Sequence, residues 1–187
     1  MSTGPLYAMG GAHPHALAKN DAMRGLATGN REGKPAEREQ DIHTPDVILD
    51  VCAALWGSIE FDPCASRTCE PFASRNLYIE DDGLSVAWEP GAFWNPPYKD
   101  LAAWLAHAAA QEERIGLYPV RTNRQWWCDF HSRHVDRIAW LKPLKFAGFK
   151  QAFPAPLVLT YQGIDPEGFE EVVARAKIAC LVSLKLE

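Results

Sequence analysis

Residues 92–98 read Ala-Phe-Trp-Asn-Pro-Pro-Tyr, an apolar run cut off by two successive prolines. Ala92-Phe93-Trp94 has the character of a buried strand. Proline has no N–H to donate to a ladder and cannot continue a paired central strand, so the chain must leave the sheet at Asn95. A second segment upstream ends in the same way: Ile59-Glu60-Phe61 runs into Asp62-Pro63-Cys64-Ala65-Ser66. Apolar strands that stop in polar turns and alternate with helical periodicity are the pattern of an open α/β sheet. The ligands of such a sheet bind at the carboxyl ends of its strands.

The flanking sequence supplies the helices. Thr44-Pro45-Asp46 offers a cap, a first-position proline and an acid that complements the helix dipole. Val47, Ile48, Val51 and Leu55 then form a helical stripe up to Gly57. Residues 67–91 read mostly as loop, with a turn at Asp81-Asp82-Gly83-Leu84. Lys99–Glu113 carries Leu101, Trp104, Leu105 and Ala108 at helical spacing, and Arg114–Val120 reads as a strand. A helix capped by Thr122 is expected to about His134, followed by strands at Arg137–Leu141 and Pro156–Tyr161. Pro166–Val182 reads as a last amphipathic helix, with Phe169, Val172, Val173, Ala176 and Ile178 inward. The expected fold is therefore α/β, with a mostly parallel sheet and helices on both faces. Residues 1–41 lack an apolar period and read as a flexible or loosely docked arm, His13 and His15 being surface residues; residues 42–187 form one domain.

Composition excludes several classes. Hydrophobic residues are 47% and charged residues 23% of 187, as in a soluble globular protein and unlike a disordered or coiled-coil chain. There is no apolar run long enough to span a bilayer and no signal-peptide pattern, so a cytoplasmic protein without membrane attachment is expected. The five cysteines are odd in number and scattered, which favours free thiols. Cys128, His131 and His134 share a three-residue rhythm but lack a fourth ligand, so no metal site is expected. The net charge of −5 hides a strong asymmetry: residues 114–150 hold eight basic residues against Asp129 and Asp136. One basic segment in an acidic chain suits a surface that meets a polyanion, and equally a solvated helix face.

The chemistry sits in Asn95-Pro96-Pro97-Tyr98. Asn95 carries a side-chain carbonyl acceptor, and the Pro96 carbonyl faces outward without a neighbouring N–H competing for it. Two acceptors converging on one amino group favour the pyramidal geometry whose lone pair attacks an electrophile. Pro97 fixes the turn, and Tyr98 offers a flat face for a planar ring.

Asn-Pro-Pro-Tyr resembles the catalytic motif of S-adenosylmethionine-dependent amino-methyltransferases. Residues 42–161 are similar to the phage-encoded DNA N-6-adenine methyltransferase family. The matching pieces fall in order: Thr44-Pro45, Phe61-Asp62-Pro63-Cys64-Ala65-Ser66, Asp81-Asp82-Gly83-Leu84 with Trp88, and Phe93-Trp94-Asn95-Pro96-Pro97-Tyr98. Tyr118-Pro119-Val120-Arg121-Thr122 with Trp126-Trp127 comes next, then Leu144-Lys145-Phe146 and Phe153-Pro154-Ala155-Pro156.

The resemblance implies an abbreviated Rossmann-like class I methyltransferase sheet in a protein of the bacterial host cytoplasm. It implies transfer of a methyl group from S-adenosylmethionine to the 6-amino group of adenine in DNA, with no metal. It places Thr44 and Pro45 at the methionine end of the cofactor, Asp62, Pro63, Cys64 and Ala65 beneath it, and Asp82 with Leu84 at its adenine. Asn95, Pro96 and Tyr98 would hold the flipped target adenine, with Pro97 shaping the turn. Arg121, Arg124 and Lys145 would contact phosphates, partly on the basic segment. The loop Asp62–Ser66 departs from methyltransferases at large in having no glycine, and Glu80 is the nearest acid for a ribose. An amino-methyltransferase of RNA or protein glutamine, and a non-catalytic nucleic-acid-binding relic, are the alternative readings.

Overall fold

The computed structural model describes residues 43–147 and 149–184. The expected arm over 1–41 lies outside the described residues. Helix α1 spans Asp46–Trp56 and buries Ile48, Val51 and Cys52. It stops at Gly57, whose φ of 81° suits a residue without Cβ and whose N–H donates to the Ala53 carbonyl at 2.7 Å. Thr44 is not the cap. Pro45 occupies that position without a side-chain bond to the helix, and the Thr44 hydroxyl is bonded elsewhere.

The strands are β1 (Phe61–Asp62), β2 (Arg75–Asn76), β3 (Ala92–Trp94), β4 (Arg114–Pro119), β5 (Arg137–Leu141), β6 (Leu157–Gln162) and β7 (Ala179–Leu184). Among the described residues they form a seven-stranded sheet in the order β2-β1-β3-β4-β6-β5-β7. The expectation of a mostly parallel sheet needs correcting. The pairs β1/β2, β1/β3 and β3/β4 are parallel, but β4/β6, β5/β6 and β5/β7 are antiparallel. Because β4 and β5 both run against β6, they share a direction, so β1 to β5 all point the same way and β6 and β7 oppose them.

The period of two along each strand builds both faces. Phe61, Trp94, Tyr118, Ile138 and Val158 join one core cluster. Helices α2 (Leu101–Ala108) and α3 (Gln125–His134) contribute Trp104, Leu105, Trp127 and Phe130 to it. Phe93, Ile115, Leu117, Ala139 and Leu159 belong to the other cluster, with α1 and α4 (Pro166–Ala176), whose Phe169 and Val173 are fully buried. Helices cover both faces of an α/β sheet, as the alternation of elements led us to expect.

Several element boundaries differ from the reading of the sequence. The expected helix to Val182 ends at Ala176, where Lys177 adopts a left-handed φ of 56° and the chain turns back as β7. The unpaired edge of β5 offers Ala179–Leu184 ladder partners along its whole length, with a bulge at Trp140/Leu141, which outweighs helical continuation. Helix α2 begins only after a 3₁₀ turn at Tyr98–Asp100 and stops at Ala108 rather than Glu113. Thr122 does not cap α3; the cap position falls on Arg124. Within the segment read as loop, Arg75–Asn76 pairs with β1.

Candidate active site

The site is assembled by strand ends. In chain order the sheet adds β2 to one side of β1 and then β3 to the other. The crevice beside β1 and β3 is therefore a topological switch point, the place where open α/β sheets bind ligands. Asp62–Ser66 leaves β1, the Asp82–Leu84 turn follows β2, and Asn95–Tyr98 leaves β3. Arg121 and Arg124 follow β4, and Lys145 follows β5. Every site residue read from the sequence except Thr44 and Pro45 thus lies at or beyond the carboxyl end of one of the five co-directional strands. Thr44 and Pro45, which precede α1, reach the same edge: Asn95 Nδ2 donates to Thr44 Oγ1 at 3.2 Å.

Two cavities lie at this edge among the described residues. The larger, about 780 Å³, is lined by Thr44, Pro45, Asp62, Cys64, Ala65, Asn95 and Lys145, with Asn76, Phe146 and Phe149. The smaller, about 500 Å³, is lined by Pro63, Cys64, Ala65, Asp82 and Leu84 together with the whole of Asn95–Tyr98. Cys64, Ala65 and Asn95 belong to both linings, so the β1 loop and the first residue of the β3 turn form the shared wall. Arg121 and Arg124 line neither cavity.

Hydrogen bonds set the orientation of Asn95. Its amide nitrogen is committed to Thr44, and its Oδ1 accepts from the Tyr98 hydroxyl at 3.0 Å. One lone pair of Oδ1 remains for a further donor. Tyr98 is itself braced edge-on by Phe153, with ring centroids 5.5 Å apart, and Phe153 meets Phe146 at 5.6 Å. Phe153, backed by Phe146 and distant from Tyr98 in sequence, therefore packs the Tyr98 ring. Arg121 stands near enough to Tyr98 and Arg124 to feel both, and burial followed by the Arg124 charge holds its guanidinium below the usual range.

The β1 loop is stiff despite its lack of glycine. Asp62 Oδ1 accepts from the Cys64 N–H at 2.9 Å, and Ala65 N donates to Leu77 O at 2.8 Å. The close approach is made instead by Gly83, where a Cβ would run into the Pro63 carbonyl oxygen. The Gly83 carbonyl in turn accepts from the Trp88 indole N–H at 2.8 Å. The glycine that lets backbones meet sits 20 residues after the loop it serves, which is why the loop alone reads as a departure. Asp62 is 4% exposed, and burial raises its pKa to about 7 against the pull of the Cys64 N–H. Burial and the Asp62 charge push the Cys64 thiol up, and burial does the same for the Tyr98 phenol.

Some residues turn out to serve other ends. Glu80 is exposed, does not line either cavity, and bonds Arg67. His131 is fully buried, stacked on Trp127 with ring centroids 3.5 Å apart, and bonded to the Trp127 carbonyl and the Tyr118 hydroxyl. Its rhythm with Cys128 and His134 belongs to the packing of α3, and no group of three or more metal-ligating side chains gathers among the described residues. Asn76 and Phe149 are lining residues that the sequence did not single out; one ends a two-residue strand and the other sits in irregular chain. No helix among the described residues is long and apolar enough to cross a membrane.

Compared with known protein families, curated proteins and solved structures, the chain matches none.

Proposed function

We propose that the chain is an S-adenosylmethionine-dependent methyltransferase of Rossmann-like class I type, acting on the 6-amino group of adenine in DNA. The observation that carries this reading is the position of Asn95: at the end of β3, beside the β1 loop, on the wall shared by two cavities. An acceptor there faces both a ligand that runs from the larger cavity past Cys64 and Ala65 into the smaller one and a group brought to the Asn95–Tyr98 turn. Both cavities fall within the few hundred to about 1,000 Å³ typical of small-molecule sites. The residues also suit a cationic ligand, since Asp62, Thr44 and Asn95 present oxygens and Asp62 needs only a nearby positive charge to ionise fully at neutral pH.

Thr44, Pro45, Asp62, Pro63, Cys64 and Ala65 would hold S-adenosylmethionine, with Asp82 and Leu84 at its adenine; when bound it supplies an electrophilic methyl group on a sulfonium. Asn95 Oδ1 and the Pro96 carbonyl would accept hydrogen bonds from the substrate amine and aim its lone pair, and the proton lost after methyl transfer would pass to water. Tyr98 orients Asn95 through its hydroxyl and offers its ring to the extruded base. Catalysis is then orientation and polarisation, with no strong base required. Extruding a base costs a few kcal/mol, offset by stacking at about 1–3 kcal/mol and by the amine's hydrogen bonds. Arg121 and Arg124 hold the phosphate backbone beside Tyr98, and Lys145 does so at the lip of the larger cavity.

The test is transfer of tritiated methyl from S-adenosylmethionine to unmethylated DNA, with nucleosides resolved by mass spectrometry. The expected product is 6-methyladenine. Label on RNA or protein glutamine instead would overturn the choice of substrate, and cofactor binding without any transfer would point to the non-catalytic relic.

A further inference from the structure

Arg67 lies in the loop after β1 and lines the smaller cavity, as does Tyr78 after β2. The Arg67 guanidinium carbon sits 4.1 Å from the centroid of the Tyr78 ring. Its Nε donates to Glu80 Oε1 at 2.6 Å, and Nη2 bonds the same oxygen. Glu80 itself stays outside the lining. The Glu80 hydrogen bond raises the Arg67 pKa and the Arg67 hydrogen bond lowers that of Glu80, so both are held charged. The loops beyond two neighbouring strands are thereby tied together over one cavity by a stacked and hydrogen-bonded guanidinium.

An exposed ion pair alone is worth little, whereas cation–π contacts and guanidinium hydrogen bonds strengthen when water is removed. The inner face of this arrangement gains that advantage only when a ligand covers it. Ile79, Leu84, Pro97 and Trp104 are among the apolar residues of the lining, a surface fit for a flat heteroaromatic ring. We propose that Arg67 and Tyr78 clasp the planar end of the ligand in the smaller cavity, with Glu80 as a positioning residue that acts through Arg67. The identity of that planar end as the cofactor's adenine rests on the methyltransferase reading.

The experiment is calorimetric titration of the full chain with S-adenosylhomocysteine, for wild type, Arg67→Ala, Glu80→Gln and the double variant, with thermal midpoints as a check on folding. Arg67→Ala is expected to raise Kd about five- to tenfold, and Glu80→Gln less, in the same direction. The double variant should bind no more weakly than Arg67→Ala, because Glu80 works through Arg67. In turnover the loss should fall on the KM for S-adenosylmethionine and not on kcat. Binding within twofold of wild type by Arg67→Ala, or an additive double variant, overturns the clasp alone. A wild-type chain that does not bind S-adenosylhomocysteine overturns the methyltransferase reading, and the clasp with it.

Discussion

The two halves of the sheet are built differently. On one side, β1, β2 and β3 are two, two and three residues long, pair in parallel, and hand the chain to polar turns. On the other, β4, β5, β6 and β7 are five or six residues long and pair antiparallel with one another, with a β-bulge at Trp140/Leu141 in the β5/β7 ladder. The short half carries the strand ends that line both cavities. The long half supplies the regular hydrogen bonding and much of the buried surface. Short strands free most of their chain for loops, and loops carry function when a rigid scaffold positions them. The division predicts that substitutions in the short half damage chemistry more than stability, and those in the long half the reverse.

The largest effect expected is on chemistry. Asn95→Ala removes the acceptor on the shared wall and should lower methyl transfer by about 100-fold or more, the scale of losing one preorganised polar group. Binding of S-adenosylhomocysteine should stay within a few-fold, and the urea midpoint should barely move. Equal loss of binding and transfer would break the comparison, because Asn95 would then be a structural member of the site.

Acidification separates the halves in a second way, since each holds a buried group whose shift spans the acid range. In the short half, Asp62 has its pKa raised by burial from 3.8 to about 7. The folded chain keeps that proton while the unfolded chain loses it, so stability falls as pH rises from about 4 to 7. In the long half, His131 has its pKa lowered by burial from 6.5 to about 4. The unfolded chain takes up that proton first, so stability falls as pH drops from 6.5 to about 4. Each contribution is on the order of 3 kcal/mol and they oppose each other, which flattens the profile of the free chain across this interval. Asp62→Asn should leave a slope rising with pH, and His131→Gln one falling with pH. Urea midpoints at half-unit steps of pH check both signs, and two unchanged profiles would remove the linkage argument.

A smaller effect belongs to the long half alone. The Tyr118 hydroxyl is buried between His131 Nε2 at 3.2 Å and Thr160 Oγ1 at 2.9 Å, tying β4, α3 and β6 together. Tyr118→Phe leaves two buried polar groups short of a partner and should cost about 1–3 kcal/mol in unfolding free energy. Transfer per folded molecule should not change. A drop in transfer with no drop in stability would contradict the division of labour.

Much of this was legible in the sequence, for physical reasons that also mark where legibility ends. Pro96 and Pro97 cannot sit inside a paired strand, so the end of β3 and the turn after it follow from covalent chemistry. The apolar periods of α1, β4 and β5 come from burial on the two faces, and each survives in the structure. By contrast, β7 carries a run (Ala179-Cys180-Leu181-Val182) that suits either helix or edge strand, and the decision rests on the free edge of β5, far away in sequence. β2 is two polar residues whose pairing is fixed by β1. Thr44 looked like a cap because of its neighbours; its bond to Asn95 spans 51 residues and leaves no local trace. The same is true of Gly83 against Pro63. Motifs and periods are local, whereas partners across the sheet are tertiary.

Tyr98 joins the two kinds of signal, and it carries the finest of these expectations. Read as a flat face beside the substrate, its ring should matter more than its hydroxyl, so Tyr98→Ala should weaken turnover more than Tyr98→Phe. The structure adds a bond of 3.0 Å from its hydroxyl to Asn95 Oδ1. With that bond gone, Asn95 keeps only its link to Thr44, and its amide is less firmly aimed. One neutral hydrogen bond is worth about 0.5–1.5 kcal/mol, so Tyr98→Phe should slow transfer about two- to tenfold while leaving base stacking intact. Because the loss falls on aim rather than on affinity, kcat should drop with the KM for DNA unchanged, whereas Tyr98→Ala should affect both. A Tyr98→Phe variant with wild-type kcat would mean that Thr44 alone orients Asn95 and that the ring is the whole contribution of Tyr98.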